Sequence, residues 1–154
     1  MQLTHFTDLG LRVLIYLTYP DRTEPVTISE IALQFNVSRN HLVKVVHFLA
    51  QQEWIVTTRG KGGGMALAQP VQKYKLGHLI STLEGHVELI DCAKPACGLK
   101  GNCQLKRILD QAQKSFYAVL DGYTLRDAVA TPTREAIISL HQLRLNTIVA
   151  SQIH

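Results

Sequence analysis

"TISEIALQFNVSRNHLVKVV", residues 27–46, decides how the rest of the chain is read. Thr27 and Glu30 stand three apart, the spacing at which a threonine hydroxyl and a glutamate carboxylate reciprocally satisfy the exposed amides of a helix start. Ile28, Ile31, Ala32 and Phe35 follow as the apolar stripe of a short helix. "FNVS" then predicts a tight turn. Ser38 is placed to cap a second helix, whose core face is Leu42, Val45, Val46 and Leu49, opposite Asn40, Lys44 and His47. Two short helices across a tight turn are a helix-turn-helix.

Upstream, Phe6, Leu9, Val13, Tyr16 and Leu17 recur at spacings of three and four, predicting an amphipathic helix over 4–19, with His5, Asp8 and Arg12 on its polar side and Pro20 ending it. Downstream, "EWIVTTRGKGGGMALAQP" at 53–70 places β-branched and aromatic residues before a glycine-rich tip, with apolar alternation after it. That is a hairpin closed by Pro70, and it turns the motif into a winged helix-turn-helix. "LGHLISTLEG" at 76–85 predicts another short helix, ahead of a loop that holds every cysteine.

Beyond the loop, Leu105, Ile108, Leu109, Ala112, Phe116, Val119 and Leu120 form the apolar seam of what should be the longest helix. So long a seam outside the compact domain is expected to pack against its twin in a two-fold homodimer rather than serve as ordinary core. Thr124 with Asp127 repeats the capping pattern for a short helix, and Pro132 starts a last one whose apolar positions suit docking on the body or a partner. The expected fold is mainly α with a small β-hairpin: a winged helix-turn-helix domain over 1–75, a linking helix and cysteine loop over 76–103, and a dimerisation helix with a helical tail over 104–154.

The net charge of +4 is unevenly placed. Arg39, Lys44, Arg59 and Lys61 stand against the single acid Glu53 over 38–61, whereas from Leu76 onward eight basic residues face seven acidic ones. A basic stripe that coincides with a reading motif is an electrostatic footprint for nucleic acid, here double-stranded promoter DNA. In a helix-turn-helix the second helix turns its first residues toward base edges, so Ser38, Arg39, Asn40, His41 and Lys44 are the candidate contacts. Arg39 suits guanine and Asn40 adenine, while Ser38 and Lys44 suit phosphates. On the wing, Arg59 and Lys61 fit a minor groove, where Gly62 and Gly63 leave room for close approach.

No stretch has the form of a signal peptide or is long and apolar enough to span a bilayer, so the expected location is cytoplasmic. An enzyme is not expected: there is no nucleophile and base motif, no phosphate loop, and no metal-binding spacing among the histidines.

Cys92, Cys97 and Cys103 are the odd feature, because disulfides consume thiols in pairs and closed zinc sites want four ligands. Three explanations compete: a structural zinc completed by His78 or His86, a thiol redox switch flanked by Lys94 and Lys100, and an iron–sulfur cluster. Intervals of four and five residues in a loop with Pro95, Gly98 and Gly101 suit a cluster better than the tight knuckles typical of zinc.

The opening "MQLTHFTDLGLRVLIYL", the helix "VSRNHLVKVV", the wing "RGKGGGMALA" and three spaced cysteines ahead of a long helix together resemble the Rrf2 family of bacterial winged-helix regulators, most of all its nitric-oxide-sensitive repressor branch. The likeness covers residues 1 to about 125. It implies a homodimeric repressor of nitrosative-stress genes, with an iron–sulfur cluster on Cys92, Cys97 and Cys103 and nitric oxide as effector. In that branch an aspartate from the first helix of the other subunit is the fourth ligand, and Asp8 occupies the position. A related branch uses a histidine three residues after the last cysteine; here that residue is Lys106. The Cys92–Cys97 interval is shorter than in several relatives, and with three thiolates and one oxygen the implied cluster is 4Fe-4S, with 2Fe-2S as the alternative. The other functional readings are an iron–sulfur or redox regulator of a different regulon, and a winged helix with a structural zinc.

Overall fold

The fold is that of a computed structural model describing residues 2–19, 22, 24–60, 62–85 and 88–152, with 144–152 by backbone alone. Helix α1 (His5–Tyr16) is capped by Thr4, whose hydroxyl accepts from the Thr7 amide at 3.2 Å. It ends before Tyr19, the expected limit, and Pro20 lies outside the described residues. Helix α2 (Ile28–Gln34) carries the expected capping box of Thr27 and Glu30.

The turn between α2 and α3 (Arg39–Gln51) is closed by backbone alone. Val37 N donates to Ala32 O at 3.0 Å and Asn36 N to Leu33 O at 3.3 Å, with Asn36 in the left-handed region at φ 50°. This is a Schellman closure, and asparagine tolerates that conformation better than most residues. The end of α3 repeats it: Trp54 N donates to Leu49 O and Glu53 N to Ala50 O, both at 3.0 Å, with Glu53 at φ 56°. Buried Trp54 thus lands beside buried Leu49 and starts the wing.

Strands β1 (Ile55–Thr58) and β2 (Gly64–Leu67) pair antiparallel in the register Ile55↔Leu67 to Thr58↔Gly64. Val26 adds a bridge to Met65, so the segment before α2 fastens the wing to the body. A 3₁₀ turn (Val71–Lys73) leads to α4 (Leu76–Leu83), which lies against α5 (Gln104–Asp121). The contact is close: a Cβ added at Gly77 would sit 2.4 Å from the Tyr117 carbonyl oxygen. Asp121 Oδ1 accepts from the His78 amide at 2.9 Å, so the start of α4 meets the end of α5 and the cysteine loop spans the far end of the pair.

Helix α6 (Leu125–Ala128) begins where the Asp127 carboxylate accepts from the Thr124 amide and hydroxyl, each at 2.7 Å. A backbone bridge ties Lys75 to Thr124, and Leu125 joins the same core as Leu9, Val13, Leu14, Leu42, Leu49 and Leu79. The last helix, α7 (Thr133–Gln152), has 20 residues against 18 in α5, so the expectation that α5 is the longest is corrected. The seam on α5 is regular in sequence, whereas α7 lacks a clean stripe, and its described part docks at particular residues. One of those residues is His141, only 3% exposed, stacked between Tyr16 at 4.1 Å and Tyr19 at 4.4 Å.

Beneath it lies a buried polar network. Glu30, 7% exposed, forks with Arg22 (Nη2 to Oε2, 2.8 Å) and accepts from the Tyr16 hydroxyl at 2.7 Å. Burial, then the Glu30 carboxylate, pushes the Tyr16 phenol well above its ordinary pKa, so it stays a donor. His141 Nε2 lies 3.1 Å from the Tyr16 carbonyl oxygen, which can only accept. Nδ1 therefore accepts from Arg22 Nη1, also at 3.1 Å.

Candidate nucleic-acid interface and metal-ligating loop

The recognition helix is two-faced as its sequence requires. Leu42, Val45, Val46 and Leu49 are buried, while Ser38, Arg39, Asn40, His41, Lys44 and His47 are exposed. Ser38 occupies the N-cap in extended conformation but makes no side-chain capping bond, which corrects the expected cap and leaves its hydroxyl for another partner. Arg39 Nε donates to Ser29 Oγ on α2 at 3.2 Å, steadying the stem while the terminal guanidinium nitrogens remain for a ligand. The His41 ring stands edge-on to His5 with centroids 6.2 Å apart, linking the start of α1 to the reading helix.

Sequence reasoning missed Val43. It is 41% exposed, between Arg39 and His47 on the polar face, where a branched methyl side chain is suited to a thymine methyl. Its one signal in the sequence is that it falls off the buried stripe.

On the wing, Arg59 is exposed, and Lys61 lies outside the described residues. The tip is closed by Gly63 N donating to Gly60 O at 3.0 Å, with Gly60 and Gly62 at φ 94° and 81°. Glycine at 63 serves the hairpin itself, because a Cβ there would lie 2.2 Å from the Thr58 carbonyl oxygen. The glycine expected to leave room for a DNA groove is thus required by the hairpin as well.

The cysteine loop folds on itself through Cys97 N to Cys92 O at 3.2 Å and Lys100 N to Cys97 O at 3.1 Å. All three thiols are free; Cys97 is exposed and the other two half-buried. Cys92 and Cys103 line a cavity of about 300 Å³ with Glu88, Asp91, Lys100, Lys106 and Arg107. Cys103 is also the N-cap of α5, at the positive end of that helix dipole. Partial desolvation, then the neighbouring Cys97, raises the Cys92 thiol pKa, while Lys106 opposes the shift.

Among the described residues no three His, Cys, Asp or Glu side chains stand together as a single-ion site, the three cysteines included. His78, a zinc candidate, instead sets its ring edge-on to Trp54 at 5.8 Å, and His86 lies outside the described residues. Two of the three thiols line one cavity and the third, Cys97, stands exposed on the same loop; soft thiol donors of this kind are the donor type an iron–sulfur cluster takes.

Residues 3–131 match the Rrf2 family, described as iron-dependent transcriptional regulators. The chain belongs to the Rrf2 family. Its fold is similar to CymR (YrzC), the global cysteine regulator of B. subtilis, at TM-score 0.67 and 24% identity over 83% of this chain and 95% of that one. It is also similar to T. potens IscR (TM-score 0.66, 23% identity, 84% and 86% covered) and to the oxidized form of Staphylococcus aureus CymR (0.61, 25%, 81% and 93%). The winged-helix expectation is thereby met.

In this Rrf2 chain Lys106 is occupied, with Nζ 2.5 Å from Asp110 Oδ1 and 3.4 Å from Glu88 Oε2. Asp8 is half-exposed and forked by Arg12, with Nε to Oδ1 and Nη2 to Oδ2 both at 2.9 Å. On α5 not one residue is fully buried, and Leu105, Ile108 and Val119 are 57%, 55% and 64% exposed. Rrf2 regulators bind DNA and are typically dimeric. No helix among the described residues is long and apolar enough to cross a membrane.

Proposed function

We propose that the chain is a homodimeric repressor that binds promoter DNA through α3 and the wing and senses nitric oxide through an iron–sulfur cluster. The observation that carries the reading is the pairing of an exposed polar face on α3 with three free thiols on one loop, two of which, Cys92 and Cys103, line a cavity with Lys100, Lys106 and Arg107. Cys92, Cys97 and Cys103 would hold the cluster, 4Fe-4S in preference to 2Fe-2S, with Asp8 of a second subunit as fourth ligand. Lys100 and Arg107, which line the cavity, would offset part of the negative charge that thiolates concentrate there, Lys106 being already engaged by Asp110 and Glu88. When bound, the cluster supplies iron to which nitric oxide can bind.

The protein's part is mechanical. A carboxylate is a harder and weaker ligand for such iron than a thiolate, and Arg12 offers Asp8 a waiting partner. Asp8 sits on α1, and α1 packs on the recognition helix α3. Exchange of Asp8 between the loop of one chain and Arg12 of its own would therefore reach the two recognition helices, which must stand about one DNA turn, roughly 34 Å, apart. The apolar seam of α5 supports the dimer that this geometry needs.

The test is protein purified without oxygen, assayed for iron, sulfide and zinc, then in gel shifts on promoter DNA at several salt concentrations before and after nitric oxide. Brown protein with iron and sulfide, whose DNA affinity falls on exposure to the gas, supports the reading; colourless protein with stoichiometric zinc sinks it. A thiol switch is the second reading, favoured by exposed Cys97 and by likeness to CymR in its oxidized form. Formation of a disulfide that alters DNA binding in metal-free protein would select it.

A further inference from the structure

We infer that the cleft between the C-terminal turn of α1, the 3₁₀ turn and helices α6 and α7 binds a small aliphatic carboxylate. The cleft is open to solvent on one side and has a volume of about 590 Å³, within the range of small-molecule sites. Its walls include Val71, Val129, Ile137 and Ile138, and two guanidinium side chains, Arg126 and Arg134, complete them. Among the described residues neither arginine has a carboxylate at ion-pair distance. Asp127, the acid next to Arg126, is hydrogen-bonded by the Thr124 amide and hydroxyl and feels the Arg126 charge only beyond ion-pair distance.

The cleft is preformed. Tyr19, one of its lining residues, is stacked on His141, whose other face stacks on Tyr16 of the core, so that side is fixed by aromatic packing rather than by a loop. A guanidinium presents a planar fork matched to a carboxylate, and an apolar wall beside it rewards a hydrocarbon body that inorganic phosphate lacks. None of the recognition helix, the wing tip or the cysteine loop lines this cleft, so the inference stands or falls apart from the cluster reading.

The test uses the full chain, metal-free and without DNA, titrated calorimetrically with pentanoate, pentan-1-ol and inorganic phosphate. Saturable one-to-one binding of pentanoate is expected, at least about tenfold tighter than pentan-1-ol or phosphate, because only pentanoate offers both charge and apolar body. Arg126→Gln and Arg134→Gln should each weaken pentanoate at least about tenfold, while Lys114→Gln, on exposed α5 surface, should leave it unchanged. Absence of saturable pentanoate binding, equal binding of phosphate, or parental affinity in both arginine variants overturns the assignment. The pentan-1-ol comparison needs no variant, so it decides even if an arginine variant folds poorly.

Discussion

Replacing Gly77 by alanine tests how the cysteine loop is held. The loop hangs between α4 and α5, so its two ends keep their separation only while those helices keep theirs. A Cβ at position 77 would lie 2.4 Å from the Tyr117 carbonyl oxygen and 2.5 Å from Asp121 Oδ1, roughly an ångström inside ordinary contact. The first of these atoms is backbone, so no rotamer relieves it and α4 must move. Overpacking of this kind costs about 1–3 kcal/mol. Alanine returns at most about 1 kcal/mol of helix propensity, and less in a first turn. The net expectation is a loss of about 1–2 kcal/mol, or roughly 2–8 °C in Tm for a chain of this size. Urea denaturation of metal-free protein followed by circular dichroism measures it, at one fixed protein concentration because a dimer's stability depends on concentration. Gly98→Ala is the control: it lies in the same loop, has no atom within 4 Å of the added carbon, and should stay within about 0.5 kcal/mol of the parent. If the two variants unfold at the same urea concentration, the close crossing of α4 and α5 is not what positions the loop.

Arg39→Ala should weaken operator binding by about 1–3 kcal/mol and relax one base position; equal losses on operator and random DNA would reassign it to a phosphate. Asp8→Ala removes a surface ion pair and should change stability by less than about 1 kcal/mol, while uncoupling DNA affinity from nitric oxide. A full response in that variant would rule out the tie across the dimer. Desolvation pushes the Glu84 carboxyl up, but hydrogen bonds from Thr7 and Thr4 hold it below its usual range. Its contribution to stability is thus present above the ordinary pKa of 4.5 and is lost as the pH falls through the lower folded value. Glu84→Gln should flatten the acid side of a plot of urea midpoint against pH, and a curve parallel to the parent's would refute that role.

Local chemistry was legible and long-range pairing was not. The capping boxes at Thr27 and Thr124, the hairpin and the seam of α5 all rest on neighbours within a few residues, where spacing carries the physics. Arg22 gave no sign that it would fork with Glu30, because the partner is chosen by the fold and not by the interval. His141 has no local pattern around it that marks it for the core; its burial depends on two tyrosines more than a hundred residues earlier. The glycines of the wing were legible as a tip, but the need at Gly63 comes from a carbonyl across the hairpin. Of the candidate site, the cysteines and the polar face of α3 were visible as patterns, whereas the Arg12 fork on Asp8 and the exposure of Val43 required the packed helices.

The backbone closures at Asn36 and Glu53 carry one more consequence. They fasten both approaches to the reading helix without enlisting any side chain that faces outward, and the buried stripe does the remaining holding. Asn40, Val43, Lys44 and His47 can therefore be rewritten with little risk to folding. A lineage of such proteins could acquire new operator sequences by point changes on that surface while the rest of the chain stays as it is.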